Sequence, residues 1–182
     1  MPFEFKHLKI PDLILIEPKI FHDERGFFLE AYKSSDFRRN GINVDFVQDN
    51  LAKSDRGVLR GLHYQLPPMA QGKLVSVIKG KVWDVAVDIR KSSPTFLQWE
   101  GVELSAENSC IFYVPPGFAH GYLTLAEDTL FSYKCTNEYS PEHERGIIWD
   151  DPEIGIQWPC DNPMVSERDQ GLGPLSETQI FN

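Results

Sequence analysis

The chain reads as all-β, an antiparallel sandwich or jelly-roll barrel with short helices and an extended C-terminal segment. Three observations predict this. Nine short segments are rich in β-branched or aromatic residues. The 13 Gly and 13 Pro recur as punctuation at short intervals. Helix signals are few, and no internal repeat or low-complexity tract interrupts the rhythm. Several short, evenly spaced strands with hairpin signals are the pattern of a closed or double-layered antiparallel architecture. A length of 182 residues with 41% apolar and 12% aromatic content suits one domain, 1–182, with a sizeable core.

In chain order, the first apolar run, Leu13–Ile16, is far short of the ~20 residues that cross a bilayer. The predicted strands are Gly26–Tyr32, Val44–Asn50, Val58–Gln65, Lys73–Lys79, Val82–Ile89, Gln98–Leu104, Ser109–Val114, Gly121–Leu125 and Leu130–Thr136. Between the first two, Ser34 to Asn40 opens on Ser and stops at Gly41, which predicts one or two helical turns. Lys79-Gly80-Lys81 and Ala126-Glu127-Asp128-Thr129 read as hairpin turns. The remainder, Asn137–Asn182, carries five Pro and little alternation, and is expected to wrap the barrel as extended segments and short turns, covering one mouth.

Lys and Arg total 18 against 27 Asp and Glu, a net charge of −9. That balance excludes the broad positive field needed for non-specific binding to nucleic acid or an anionic membrane. An anionic ligand must be gripped locally. Cys110, Cys135 and Cys160 are odd in number, widely spaced and without a CxxC pair, so they read as buried or half-buried thiols of a soluble cytoplasmic protein.

Two motif outlines carry chemistry. Arg60-Gly61-Leu62-His63-Tyr64-Gln65, followed by Gln71-Gly72-Lys73 and Gly80, has the shape of a first cupin motif. Pro115-Pro116-Gly117-Phe118-Ala119-His120 has the shape of the second. The positions a metal cupin gives to ligands read His63, Gln65, Lys73 and His120. A divalent ion wants imidazole and anionic oxygen, and an ammonium at such a position repels it. The pattern therefore points to acid–base chemistry with no metal and no organic cofactor.

Through these residues the chain resembles the dTDP-4-dehydrorhamnose 3,5-epimerases, metal-free cupins of nucleotide-sugar metabolism. The resemblance runs from Ile10 to about Pro174. It is carried by Phe21-His22-Asp23-Glu24-Arg25-Gly26-Phe27-Phe28-Leu29-Glu30, Phe46-Val47-Gln48-Asp49-Asn50, Val58 to Gln65, Ala70 to Val75, Asp84 to Arg90, Pro116 to Gly121, Tyr133-Lys134-Cys135-Thr136 and Ser166-Glu167-Arg168-Asp169. It implies a cupin-type jelly roll and epimerisation at C3 and C5 of dTDP-4-dehydro-6-deoxy-D-glucose. It also implies a homodimer in which Phe- and Glu-containing N-terminal strands cross to the partner.

Inverting a carbon next to a ketone needs a base for the α-proton, a partner for the enolate and a proton donor on the opposite face. His63 suits the base, since imidazole titrates near neutrality. The resemblance makes Asp169 its orienting carboxylate, with Asp84 as a rival that spacing alone does not rank. Lys73 places its charge by the developing oxyanion, and the resemblance assigns Tyr133 as the acid. Arg25, Arg60 and Arg168 are the candidate grips for the diphosphate; the family commonly has Lys at the position of Arg168. Glu30, Gln48, Asn50, His120 and Glu144 match further substrate-contacting positions, and Tyr139 resembles an aromatic that stacks on the thymine ring. Strict alternation puts Arg60 and His63 on opposite faces of their strand, so their sharing one site requires a bulge at Gly61. Three other readings use the same residues: an epimerase of a single centre or of another nucleotide-linked keto sugar, a sugar-binding cupin without turnover, and a metal-dependent cupin.

Overall fold

The structure, a computed structural model describing residues 2–182, closes two antiparallel sheets face to face. The strands are β1 Phe3–His7, β2 Ile14–Pro18, β3 Phe21–Asp23, β4 Gly26–Phe28, β5 Gln48–Ser54, β6 Val58–Gln65, β7 Lys73–Lys79, β8 Lys81–Asp88, β9 Trp99–Ser105, β10 Ile111–Val114, β11 Phe118–Thr124, β12 Thr129–Cys135, β13 Glu144–Gly146 and β14 Met164–Val165. Helix α1 spans Ser34–Arg39, helix α2 Glu167–Gln170, and a 3₁₀ turn Leu175–Glu177. The first sheet runs β1-β2-β10-β7-β12-β5 and the second β13-β6-β11-β8-β9, with β14 parallel beside β6. The neighbours β2 and β10, or β5 and β12, are far apart in sequence, as jelly-roll wrapping requires.

The inner faces meet in one apolar cluster. The first sheet supplies Val75, Val77, Phe112, Val114 and Phe131, and the second Val82, Ala86, Val102, Leu104, Phe118 and Tyr122. Each large side chain removed from water here contributes roughly 1.5–3 kcal/mol. A second cluster lies where Trp158, Ile180 and Phe181 of the C-terminal segment pack around Leu62, Val85, Val87 and Ile89. Helix α1 closes a third: Phe37 meets Phe3, Phe5 and Tyr32 ring to ring at 5.2, 5.3 and 4.8 Å.

Most predicted strands are present, with ends moved by one to three residues. Two moved further, and five more, β1, β2, β3, β13 and β14, were not predicted. The strand expected over Val44–Asn50 runs Gln48–Ser54 instead. Val44 and Phe46 pack as irregular chain against the α1 cluster, while Leu51 to Ser54 become strand because β12 offers them a partner from Phe131↔Ala52 to Thr129↔Ser54. The strand expected to reach Tyr32 stops at Phe28. Of the unpredicted strands, Phe3–His7 and Ile14–Pro18 pair with each other, and Ile14–Pro18 pairs on its other side with β10. The turns expected to close hairpins at Gly80 and at Ala126–Thr129 instead carry the chain from one sheet to the other: β7 and β12 lie in the first sheet, β8 and β11 in the second, and Gly80, at φ 82°, is the single residue between β7 and β8.

Candidate active site

A cavity of about 580 Å³ opens between the sheets beside the apolar cluster. Its walls have different chemistry. Strand β6 of the second sheet contributes Arg60, His63 and Gln65, and β11 contributes His120 and Tyr122. Facing them, the first sheet contributes Lys73 from β7, Tyr133 from β12, and Gln48 and Asn50 from β5. Tyr139, Glu144, Ser166, Arg168 and Asp169 come from the C-terminal segment. The stacked rings of Tyr122 and Phe131, 4.0 Å apart, belong to both core and cavity and mark the boundary between them.

The bulge required by Arg60 and His63 is present. Across β6 and β11, His63 faces His120 and Arg60 faces Tyr122, so three steps on one strand match two on the other. Gly61 holds φ 125°, and a Cβ there would lie 2.6 Å from the Gly121 Cα and 2.8 Å from the His120 carbonyl oxygen. Only glycine allows this backbone angle and this approach. Leu62 and Tyr64 consequently turn outward into the second apolar cluster.

His63 Nε2 lies 2.9 Å from Asp169 Oδ1. The same carboxylate accepts the Gly61 backbone N–H through Oδ2 at 3.2 Å, and the Asp169 N–H is capped by Ser166 Oγ at 3.1 Å. Burial pushes the Asp169 carboxyl up, but the His63 bond and charge and the Gly61 N–H outweigh it and hold it below the usual carboxylate range. An ionised Asp169 fixes the proton on Nε2 and leaves Nδ1 as the basic nitrogen. Asp84, the rival, pairs elsewhere: its Oδ1 lies 2.8 Å from His120 Nε2.

Lys73 has no ion-pair or hydrogen-bond partner among the described residues. Burial lowers its ammonium pKa, opposed by Cys135, Asp84 and Glu144. Burial raises the Tyr133 phenol, which keeps it protonated at neutral pH. Tyr122, two residues along the strand from His120, is pushed up to about 12 for the same reason. Arg60 is braced by Ser54 Oγ at 3.1 Å and the Lys53 carbonyl at 3.4 Å. Gln48 donates to Asn50 at 3.1 Å and accepts the Tyr139 N–H at 2.8 Å. Glu144 accepts the Tyr139 hydroxyl at 2.7 Å and pairs with Arg168.

Gln65 is occupied with structure: its amide donates to the Met69 and Glu138 carbonyls at 2.7 and 3.2 Å and accepts the Ser140 N–H at 2.8 Å. No cluster of three metal-ligating side chains exists among the described residues. No helix among them is long and apolar enough to cross a membrane. The three cysteines are free thiols, two buried and Cys160 partly so.

Two predicted contacts lie outside the cavity of this chain. Arg25, 85% exposed, pairs with Asp23 at 2.5 Å on the β3–β4 hairpin. Glu30 lines a shallow surface pocket with Phe21, Phe28 and Lys33. Conversely, Tyr122, Phe131 and Cys135 line the cavity without having been singled out for it. Period-two spacing from His120 and Tyr133 was the signal that places them there.

The family model for dTDP-4-dehydrorhamnose 3,5-epimerase matches residues 7–177. The chain belongs to that family. The Shigella flexneri dTDP-4-dehydrorhamnose 3,5-epimerase is 56% identical over 162 residues, covering 88% of this chain and 90% of that one. Among solved structures, the Legionella pneumophila 3,5-epimerase in complex with dTDP-4-keto-L-rhamnose superposes with a TM-score of 0.93 at 48% identity, covering 96% of this chain and 94% of that one. A 3′-monoepimerase from Streptomyces bikiniensis in complex with dTDP-quinovose is also similar, at TM-score 0.87 and 37% identity, covering 93% of this chain and 86% of that one. As in that family, the present chain is a cupin-type jelly roll and an isomerase.

Proposed function

We propose that this epimerase inverts C3 and C5 of dTDP-4-dehydro-6-deoxy-D-glucose, giving dTDP-4-dehydro-L-rhamnose, with His63 as base, Lys73 as oxyanion partner and Tyr133 as acid. One observation carries the assignment of roles. The imidazole backed by Asp169 stands on one sheet, while the ammonium and phenol stand on the other, across a single cavity. A volume of about 580 Å³ lies in the usual range of ~300–1,000 Å³ for ligand pockets.

In this reading His63 Nδ1 takes the α-proton, and the C–H electron pair moves into the ring as the C4 carbonyl becomes an enolate. The Lys73 ammonium lies beside that oxygen in a site where burial strengthens the attraction. Tyr133 returns a proton to the opposite face of the carbon; the phenolate is then reprotonated from solvent and the His63 imidazolium gives its proton to solvent, which restores both groups. The same sequence serves the second carbon. Arg60 and Arg168 grip the diphosphate, while Gln48, Asn50, His120 and Glu144 hold the sugar and Tyr139 stacks on the base. No step needs a metal or organic cofactor, and the protein acts in the cytoplasm, where nucleotide-linked sugars are made.

Two copies complete the site. The β3–β4 hairpin exposes Phe27 and Phe28 at 63% and 65%, and β5, which carries Gln48 and Asn50, is an unpaired sheet edge beside the cavity. A homodimer in which each hairpin lies along the partner's β5 edge covers those rings and delivers Arg25 and Glu30. Light scattering on the purified protein at micromolar concentration is expected to give twice the chain mass of 20.9 kDa.

Proton NMR of the product formed from dTDP-4-keto-6-deoxyglucose in deuterated water tests the reaction. Deuterium at both C3 and C5 of an inverted product is expected, and His63→Ala should slow its appearance by ~10²–10⁴-fold. The similarity to a 3′-monoepimerase supports one alternative, inversion at C3 alone, which the same spectra reveal as a C5 proton of unchanged configuration.

A further inference from the structure

At the mouth of the cavity one carboxylate oxygen joins two side chains. Glu144 Oε2 accepts the Tyr139 hydroxyl at 2.7 Å and also pairs with the Arg168 guanidinium. Tyr139 is 51% exposed and the Arg168 side chain 60%, against 15% for that of Glu144. Glu144 is the one ion-pair partner of Arg168 among the described residues. The backbone beneath the ring is fixed separately. Gln48 on β5 accepts the Tyr139 N–H at 2.8 Å, while Gln65 on β6 accepts the Ser140 N–H at 2.8 Å and donates to the Glu138 carbonyl at 3.2 Å. Glu144 itself sits on β13 opposite Gln65. What these bonds leave free is the tilt of the ring and the reach of the guanidinium, and the shared oxygen sets both. Ion pairs this exposed add little to folding, so stability does not account for the arrangement.

We infer that Glu144 is a positioning residue for the nucleotide: by holding the phenol of Tyr139 and the guanidinium of Arg168 at one point, it sets the stacking ring and the diphosphate grip at a fixed spacing before the ligand arrives. The inference rests on the reading of Tyr139 and Arg168 as nucleotide contacts, and it is separate from any contact Glu144 makes to the sugar. Glu144 engages one nitrogen of the guanidinium fork, so the remaining N–H groups stay available to phosphate oxygens. Without the carboxylate, two side chains must be ordered at the moment of binding, each weakening it roughly twofold to tenfold. Charge alone acts in the opposite sense, since a carboxylate beside a diphosphate repels it. The two effects therefore predict opposite signs.

The test is calorimetric binding of dTDP, which carries base and diphosphate but no sugar, to the wild type, Glu144→Ala, Tyr139→Phe and the double variant. Glu144→Ala is expected to weaken dTDP binding about tenfold. Tyr139→Phe keeps the ring and loses only the hydroxyl. It should weaken dTDP binding roughly threefold in the wild-type background, and not at all beside Glu144→Ala, where the hydroxyl has lost its partner. If Glu144→Ala does not yield folded protein, Glu144→Met, of similar length and without an acceptor, carries the same expectations. Unchanged or tighter dTDP binding by a folded Glu144 variant overturns the inference. So does an equal loss from Tyr139→Phe in both backgrounds, the result of a Glu144 that merely holds the fold, which would show instead as a lowered unfolding midpoint of the free protein. Either outcome leaves the proposed reaction and its nucleotide contacts standing. If Tyr139→Ala and Arg168→Ala both bind dTDP as the wild type does, the reading of those two residues falls, and the inference with it.

Discussion

Replacing Asp169 with Asn changes one atom and sets two hydrogen bonds against each other. The carboxylate accepts from His63 Nε2 at 2.9 Å and from the Gly61 N–H at 3.2 Å. An amide can accept at only one end. If its oxygen faces His63, its NH₂ meets the Gly61 N–H donor to donor, and a buried donor left unpaired costs ~1–3 kcal/mol. The amide therefore turns the other way and donates to Nε2, which forces the proton onto Nδ1, the nitrogen that must act as base. The same ~1–3 kcal/mol makes the productive tautomer about 5- to 160-fold rarer. Loss of the negative charge behind the forming imidazolium adds to that, toward the ~10²–10⁴ of a positioned base.

The assay is the rate of deuterium uptake at C3 and C5 followed by proton NMR, with circular dichroism as the check on folding. A folded Asp169→Asn protein that exchanges within twofold of wild type would mean that the carboxylate does not set the tautomer. A stability signature accompanies the kinetic one. Because Asp169 is held below its usual range, its contribution is complete above the unfolded value of ~3.9 and is lost as pH falls through the lower folded one. Acid unfolding of the variant lacks that component.

Tyr133→Phe should keep exchange into substrate while inversion fails at one or both carbons, because His63 can return a proton only to the face it came from; NMR separates the two, and native inversion rates would make Tyr133 a packing residue. Gly61→Ala should cost at least ~1–3 kcal/mol, since φ 125° strains any other residue and the Cβ meets backbone at 2.6 Å; thermal unfolding should fall by ~2–4 °C per kcal/mol, and an unchanged midpoint would deny the tight approach. Activity should survive dialysis against a chelator, because Lys73 and the hydrogen-bonded Gln65 stand where a metal cupin has ligands; loss of turnover restored by a divalent ion would refute the donor-set argument.

The parts of the fold legible in the sequence are those decided locally. Gly80 between two alternating runs marks where β7 ends and β8 begins, though not that the two strands part into different sheets, and Ser34 with Gly41 brackets α1. The displacement of β5 was not legible, because Leu51 to Ser54 are strand through what β12 offers rather than through their own preference. In the site, His63 and Lys73 announced themselves by type and spacing. Asp169 did not outrank Asp84 on sequence, since the first lies 106 residues from His63 and only the folded C-terminal segment returns it. The bulge at Gly61 was deducible as a conflict between alternation and shared use, and the structure resolves it with one extra residue on β6.

In the proposed homodimer, the hairpin that carries Arg25 away from its own chain's cavity makes each catalytic centre a joint product of two chains, and this has a genetic form. An Arg25→Ala chain and a His63→Ala chain are each defective alone. Mixed, they assemble one centre with both lesions and one with neither, because His63 is contributed in cis and Arg25 in trans. Co-expression of two crippled alleles thus restores activity to about half of the centres in each mixed pair, whereas two lesions in residues of the same wall, His63 and Asp169, cannot complement one another in any combination.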